Sequence, residues 1–249
     1  MTGEIGTIQV LIEILYLIAS VLFILSLKWM SSPTTARHGI WAGEAGMVLA
    51  IGGTLLNHGM DYRLIATALV LGTIIGVPLG RVAMTAVPQR TALSHAFGAL
   101  CVTLVGSAEF YLRTPDISRF MMAVLSLEVI LGGLTVTGSL MAAGKLQEIL
   151  PQRPLTYKGQ NLVNFLLLAG ALVIAVTLVL HPESRALFPI MILIALAFGV
   201  LLIIPIGGAD MPTVISLLNG YAGLSAAAAM ASKFSWAKSA EAHLECYLS

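Results

Sequence analysis

Apolar residues are gathered into long runs separated by short polar or Pro-containing breaks. A hydrocarbon core of about 30 Å takes about 20 helical residues to cross, and the runs have about that length. They predict membrane-spanning helices at Ile8–Leu27, Ile40–Leu56, Leu64–Leu79, Thr91–Tyr111, Phe120–Met141, Leu162–Leu180, Ala186–Ile204 and Met211–Ala231. None shows the alternation of period two that barrel strands need. The fold class that follows is all-α, a polytopic transmembrane bundle of about eight helices over residues 1–231, with a polar tail at 232–249. The second and third runs are short and Gly-rich, so each fits either one tilted span or half of a re-entrant pair.

Composition strengthens this picture. Of 249 residues 58% are hydrophobic and 10% charged, and the mean hydropathy is +0.94, whereas a soluble domain is about 25% charged. A formal net charge of +1 leaves no electrostatic footprint for nucleic acid. Cys101 and Cys246 are too few and too differently placed for a disulfide framework or a metal site. The first run is no signal peptide, since it is too long, lacks a basic leader and has no small-residue cleavage site.

Position gives the charges their meaning. Lys28, Arg37, Arg81, Arg90, Lys145, Arg153 and Lys158 fall in odd-numbered connections, and Arg63, Arg113, Arg119 and Arg185 in even-numbered ones, seven against four. The positive-inside rule then makes the odd connections cytoplasmic and the amino terminus external. Eight spans return the carboxyl terminus to the outside.

Small residues recur at helical spacing. Gly39 and Gly43, and the series Gly72, Gly76 and Gly80, allow close backbone approach where lipid offers no hydrophobic drive. Helix packing is the simplest role for them, as for Gly132, Gly133, Gly138 and Gly223. No dinucleotide-binding glycine motif, phosphate loop, or His and Cys cluster of metal spacing is present, so no cofactor or metal site and no catalytic group is expected within the chain.

An ionisable side chain at membrane depth costs about 2.5–3.5 kcal/mol on insertion scales, which makes each one a candidate for function. Four rise above the background: Glu44, His95, Glu128 and Asp210. Glu44 lies about one turn into its span, within reach of headgroup water. His95 lies about one turn into the fourth run, near Ser94, Gly98 and Thr103; imidazole exchanges a proton near neutral pH, and a hydrogen-bonded structural histidine also fits. Glu128 stands near the middle of the fifth run, with Thr135, Thr137 and Ser139 farther along, and either a relay carboxylate or a helix-to-helix hydrogen bond accounts for it. Asp210, two residues ahead of Pro212 at a helix break, has an N-cap signature. Asn219 is an amide in lipid, which requires a partner.

The stretch Gly207-Gly208-Ala209-Asp210-Met211-Pro212, followed by Ser216-Leu217-Leu218-Asn219-Gly220-Tyr221-Ala222-Gly223, resembles the GGADMP and LLNSYSG stretch of one family. That family is the membrane domain of the beta subunit of proton-translocating NAD(P) transhydrogenase. Ser94-His95-Ala96-Phe97-Gly98, Gly132 through Leu140, and Gly144-Lys145-Leu146 support the resemblance in the same order along the chain. It covers residues 1 to about 229; the polar residues after Ala229 depart from the family pattern.

The resemblance implies a part of a complex in which soluble domains transfer hydride between NAD(H) and NADP(H) while the membrane part carries protons. It implies that His95 and Asn219 belong to the proton path, with Glu128 and Ser139 carried as further members, and that Asp210 lies where the membrane part meets the NADP(H)-binding domain. Implied partners are the alpha subunit's membrane helices and NAD(H)-binding domain, an NADP(H)-binding domain continuing the beta subunit, a second copy as a homodimer, and the bilayer, with no nucleic acid. The location implied is a bacterial inner membrane. Family subunits continue through one further span into the NADP(H)-binding domain, so the chain is expected to be a fragment of the working subunit and inactive alone in hydride transfer. A small-solute secondary transporter is the alternative; the inverted repeats that would favour it are not apparent.

Overall fold

The computed structural model describes residues 2–56, 61–81 and 83–233, and the side chains of these except residues 2–7, 84 and 231–233. Among the described residues there are eight α-helices: α1 Thr2–Met30, α2 Ala36–Leu55, α3 Tyr62–Gly80, α4 Val87–Arg113, α5 Arg119–Leu146, α6 Gln160–Leu180, α7 Leu187–Ile203 and α8 Met211–Lys233. Six are long and apolar enough to cross a membrane. The others are α7, with 17 residues, and α2, which carries Arg37, His38, Glu44 and several glycines. The two Gly-rich runs are each one continuous helix. α8 runs slightly past the predicted boundary, and residues 234–249 of the predicted tail lie outside the described residues.

The chain forms two compact units, residues 1–76 and 77–249. In the first, α1 and α2 are an antiparallel hairpin whose seam is made by glycine. A Cβ at Gly39 would lie 2.6 Å from Met30 Cγ and 2.8 Å from Ser26 O, while Ser26 Oγ donates to Gly39 O at 2.7 Å. Farther along, Gly46 faces Ala19 and Phe23, and Gly53 faces Tyr16. Tyr16 OH and Thr54 Oγ1 share a hydrogen bond of 2.9 Å between the helices. No residue of α3 is buried, and a Cβ at Gly72, Gly76 or Gly80 would meet nothing within 4 Å. The same spacing that closes the α1–α2 seam therefore faces open space on α3 among the described residues.

The second unit is built around α5. Ser118 caps its start, accepting from Met121 N at 3.2 Å, and α4, α6, α7 and α8 all pack on it. α4 turns toward it a face of Ala92, Ala96, Ala99, Thr103, Gly106 and Phe110, whose spacing of three and four keeps small side chains on one stripe. On the α7 side, a Cβ at Gly133 would sit 3.1 Å from Ala195 Cβ, and Thr137 Oγ1 donates to Leu196 O at 2.7 Å. Phe110 and Phe188 stack with centroids 3.8 Å apart near the end where Arg185 donates to Thr114 O.

At the opposite end the unit gathers its connections. Gln89 Nε2 donates to Leu146 O at 2.8 Å, and Gly208 N donates to Gln152 O at 2.8 Å. Here one expectation is corrected. Lys145 is not a loop charge: it lies in the last turn of α5 with no exposed surface, because backbone carbonyls around Ile204 and Ile206 take its ammonium. Arg153 and Lys158 remain as the basic residues of that connection.

Candidate functional site

Polar groups in this apolar unit concentrate where α4, α5 and α8 meet. Glu128 is 1% exposed, and its carboxylate occupies space that exists because residue 106 has no side chain. A Cβ at Gly106 would lie 2.8 Å from Glu128 Oε1 and 2.9 Å from Val129 Cγ2. One turn along α5, Gly132 opens a similar gap: a Cβ there would collide with Thr103 Oγ1 and stand 3.3 Å from Ser225 Oγ. Ser225 Oγ donates to the backbone carbonyl of Glu128 at 2.7 Å, joining α8 to α5, and Thr103 Oγ1 donates to Ala99 O at 2.8 Å on its own helix. Three helices are thus brought within hydroxyl reach by two glycines.

The pairing of α4 with α5 fixes where the other candidates stand. Gly106 faces Glu128, Thr103 faces Gly132, and Gln89 reaches Leu146, so the antiparallel register sets His95 level with Ser139. His95 is half-buried, and its Nδ1 is buried without a hydrogen-bond partner among the described residues. Ser139 is 1% exposed, with its Oγ likewise unpartnered. Its neighbour Gly138 packs against Leu218 and Ile203. At about 1.5 Å per residue, the distance along α5 from Glu128 to Ser139 is about 16 Å. That spans roughly half of a hydrocarbon core of about 30 Å.

Asn219 stands apart from this column. It follows the buried Leu218, is exposed, and makes no side-chain hydrogen bond among the described residues; nothing bonds it to His95. Gly223, one turn on, has open space around it. Asp210 is exposed at the end of a short 3₁₀ turn, Gly208–Asp210, that leads directly into α8, which is the position of a helix cap. Glu44 is exposed on α2. Among the described residues no group of His, Cys, Asp and Glu could hold a metal ion.

Sequence reading did not single out Gly106, Thr103 or Ser225 as parts of the site. The first two lie on the small-residue stripe of α4, a pattern visible once α5 is known to face it. Ser225, a lone hydroxyl before a run of alanines, carries no comparable signal.

Two comparisons with known proteins bear on this arrangement. The family model described as NAD(P) transhydrogenase beta subunit matches residues 12–232. Curated proteins named NAD(P) transhydrogenase subunit beta, from Rhodospirillum rubrum and from its strain ATCC 11170, are each 39% identical over 223 residues, 85% of this chain and 47% of the relative. The chain therefore spans about half the length of the curated relatives it matches.

Proposed function

The chain belongs to the NAD(P) transhydrogenase beta-subunit family, and from that premise we propose that it is the proton-translocating membrane part of a transhydrogenase complex. Soluble domains of that complex hold NAD(H) and NADP(H) and exchange the hydride. The buried polar column of α4, α5 and α8 is the observation that carries this reading. Glu128, Thr103, Ser225, Ser139 and His95 set polar atoms along about half the membrane thickness, and polar atoms in lipid without a transport or packing task are costly. The family favours this reading over a small-solute carrier.

In the proposed path His95 is the proton carrier, with Ser139 at its level and Glu128 farther along. An imidazole that is loaded and unloaded needs a hydrogen-bonding neighbour in each state, and a hydroxyl or an amide serves both, since each can accept and donate. Asn219, exposed on α8, joins His95 only after a movement of α8 or by facing a helix of a partner. Asp210 faces the NADP(H)-binding domain. Gly72, Gly76, Gly80 and Gly223, open in this chain, pack against other helices of the complex: those of the alpha subunit and of a second copy of this chain. The amino terminus lies outside a bacterial inner membrane, with Arg153 and Lys158 on the cytoplasmic side.

Proton pumping by the complete complex in vesicles tests the assignment. His95→Ala is expected to insert and assemble but to lose proton translocation and the hydride transfer coupled to it. Asn219→Leu should give a related defect, and the double variant should be no worse than the more severe single one. Full pumping by a well-assembled His95→Ala complex would refute the carrier role.

A further inference from the structure

We infer that Lys145 is a positioning residue that locks the Pro205-to-Asp210 connection to the last turn of α5, so that a displacement of α5 is passed directly to that connection. The inference rests on the proton-path reading above, because it concerns how events on α5 reach Asp210. It is carried by a buried cation that the proton path does not use.

Lys145 has no exposed surface and no carboxylate beside it. The ion pairs among the described residues are Arg113 with Glu109 and His181 with Glu183, at surface positions. Its ammonium instead donates to Ile204 O and Ile206 O, each at 2.6 Å, and approaches Ile203 O at 3.5 Å. An ammonium has three N–H donors, and three carbonyls converge on it. Ile203 O and Ile204 O lie at the end of α7, where the helix dipole presents its negative end, and Ile206 O lies in the connection that follows. Each side answers the other's deficit.

The connection so held is also tied to the segment after α5. Gly208 N donates to Gln152 O at 2.8 Å, and Leu155 N donates to Ile204 O at 3.3 Å, the carbonyl that Lys145 also grips. A Cβ on Gly208 would sit 3.2 Å from Gln152 Cβ. Lys145 therefore stands where three segments meet: the end of α5, residues 147–158, and residues 204–210. It lies six residues beyond Ser139 on the same helix, about 9 Å along the axis. A rigid helix that shifts beside His95 must carry these three bonds with it, or break them.

The experiment uses the complete complex in vesicles and compares the parent with Lys145→Met by hydrogen–deuterium exchange and by protons moved per hydride transferred. Peptides covering residues 150–158 and 205–212 are expected to exchange about tenfold faster or more, since local opening governs exchange, while peptides of α4 are unchanged. The proton-to-hydride ratio is expected to fall at least about twofold, an effect that a merely stabilising lysine would not produce. Should Lys145→Met fail to insert, Lys145→Arg carries the test: a planar guanidinium cannot converge on three carbonyls as an ammonium does, so both readouts should move in the same direction and less far. Unchanged exchange in the two peptides overturns the inference, and so does faster exchange with an unaltered ratio. Failure of the proton-path reading has a separate signature, full pumping by His95→Ala, whatever Lys145 does.

Discussion

Gly132→Ala adds one methyl group at the point where α4, α5 and α8 converge. The new Cβ collides with Thr103 Oγ1, with Ser225 Oγ at 3.3 Å and Ala99 O at 3.4 Å closing the other sides. Thr103 cannot turn away freely, because its hydroxyl is held by Ala99 O at 2.8 Å. Overpacking of this kind costs about 1–3 kcal/mol, against a gain of about 1 kcal/mol from replacing a helical glycine by alanine. With the struck atom anchored, the overpacking falls in the upper part of that range, about 2–3 kcal/mol, and the net expectation is a destabilisation of about 1–2 kcal/mol. Thr103→Ala supplies the control. It removes the struck oxygen and orphans no acceptor, since Ala99 O keeps its place in the helix. The double variant should therefore recover about 1 kcal/mol relative to Gly132→Ala alone, a non-additivity that contacting residues show and distant ones do not. The assay is unfolding by denaturing detergent followed by circular dichroism. Gly133→Ala, whose Cβ would meet only the Ala195 methyl at 3.1 Å at close range, should shift the midpoint less. A Gly132→Ala variant as stable as the parent, or one that Thr103→Ala fails to relieve, would refute the claimed convergence.

Two further outcomes follow from the arrangement. A cysteine placed at Ile149, which is 74% exposed, in a chain whose Cys101 and Cys246 are replaced by serine, should resist an impermeant reagent applied outside the cell and react from the cytoplasmic side; outside labelling would reverse the orientation. The purified chain should show no NADPH binding in the micromolar range by calorimetry and no hydride exchange, because no phosphate-cradling loop is encoded; measurable binding would reveal a site in these helices.

The helices were legible because each apolar run is about as long as a membrane is thick and each break contains proline or clustered polar residues. The third run illustrates it, expected at Leu64–Leu79 and found at Tyr62–Gly80. The end of α5 was less legible. Gly144 and Lys145 interrupt the apolar pattern, yet the helix continues to Leu146, since the charge is satisfied by carbonyls some sixty residues away in the chain. Such a partner leaves no local trace. Glycine spacing has a similar limit: it records that a backbone can be approached closely, but not by what. Gly132, Gly133 and Gly138 meet α4, α7 and α8, whereas a Cβ at Gly72, Gly76 or Gly80 would find open space among the described residues. For the site, the ionisable residues drew attention to α4 and α5, but the juxtaposition of His95 with Ser139 depends on register, which a single sequence does not encode.

The two sides of α5 differ in what they offer it. α7 has no polar side chain, so its bonds to α5 run through its own backbone, from Thr137 to Leu196 O and from Lys145 to the carbonyls at its end. Backbone acceptors fixed in a helix, such as Leu196 O, cannot rotate to new donors, which holds the α5–α7 contact closely. Toward α4 the situation is reversed, because His95 Nδ1 and Ser139 Oγ are buried and unpartnered. An unsatisfied buried polar atom costs about 1–3 kcal/mol, and in lipid that cost favours any rearrangement which supplies a proton, a water or a side chain. In the proposed path, the α4-facing side of α5 is thus where a change of protonation would alter the energy most. The α7-facing side is joined through backbone carbonyls as far as the connection bearing Asp210, so it is where the inferred coupling would have no slack.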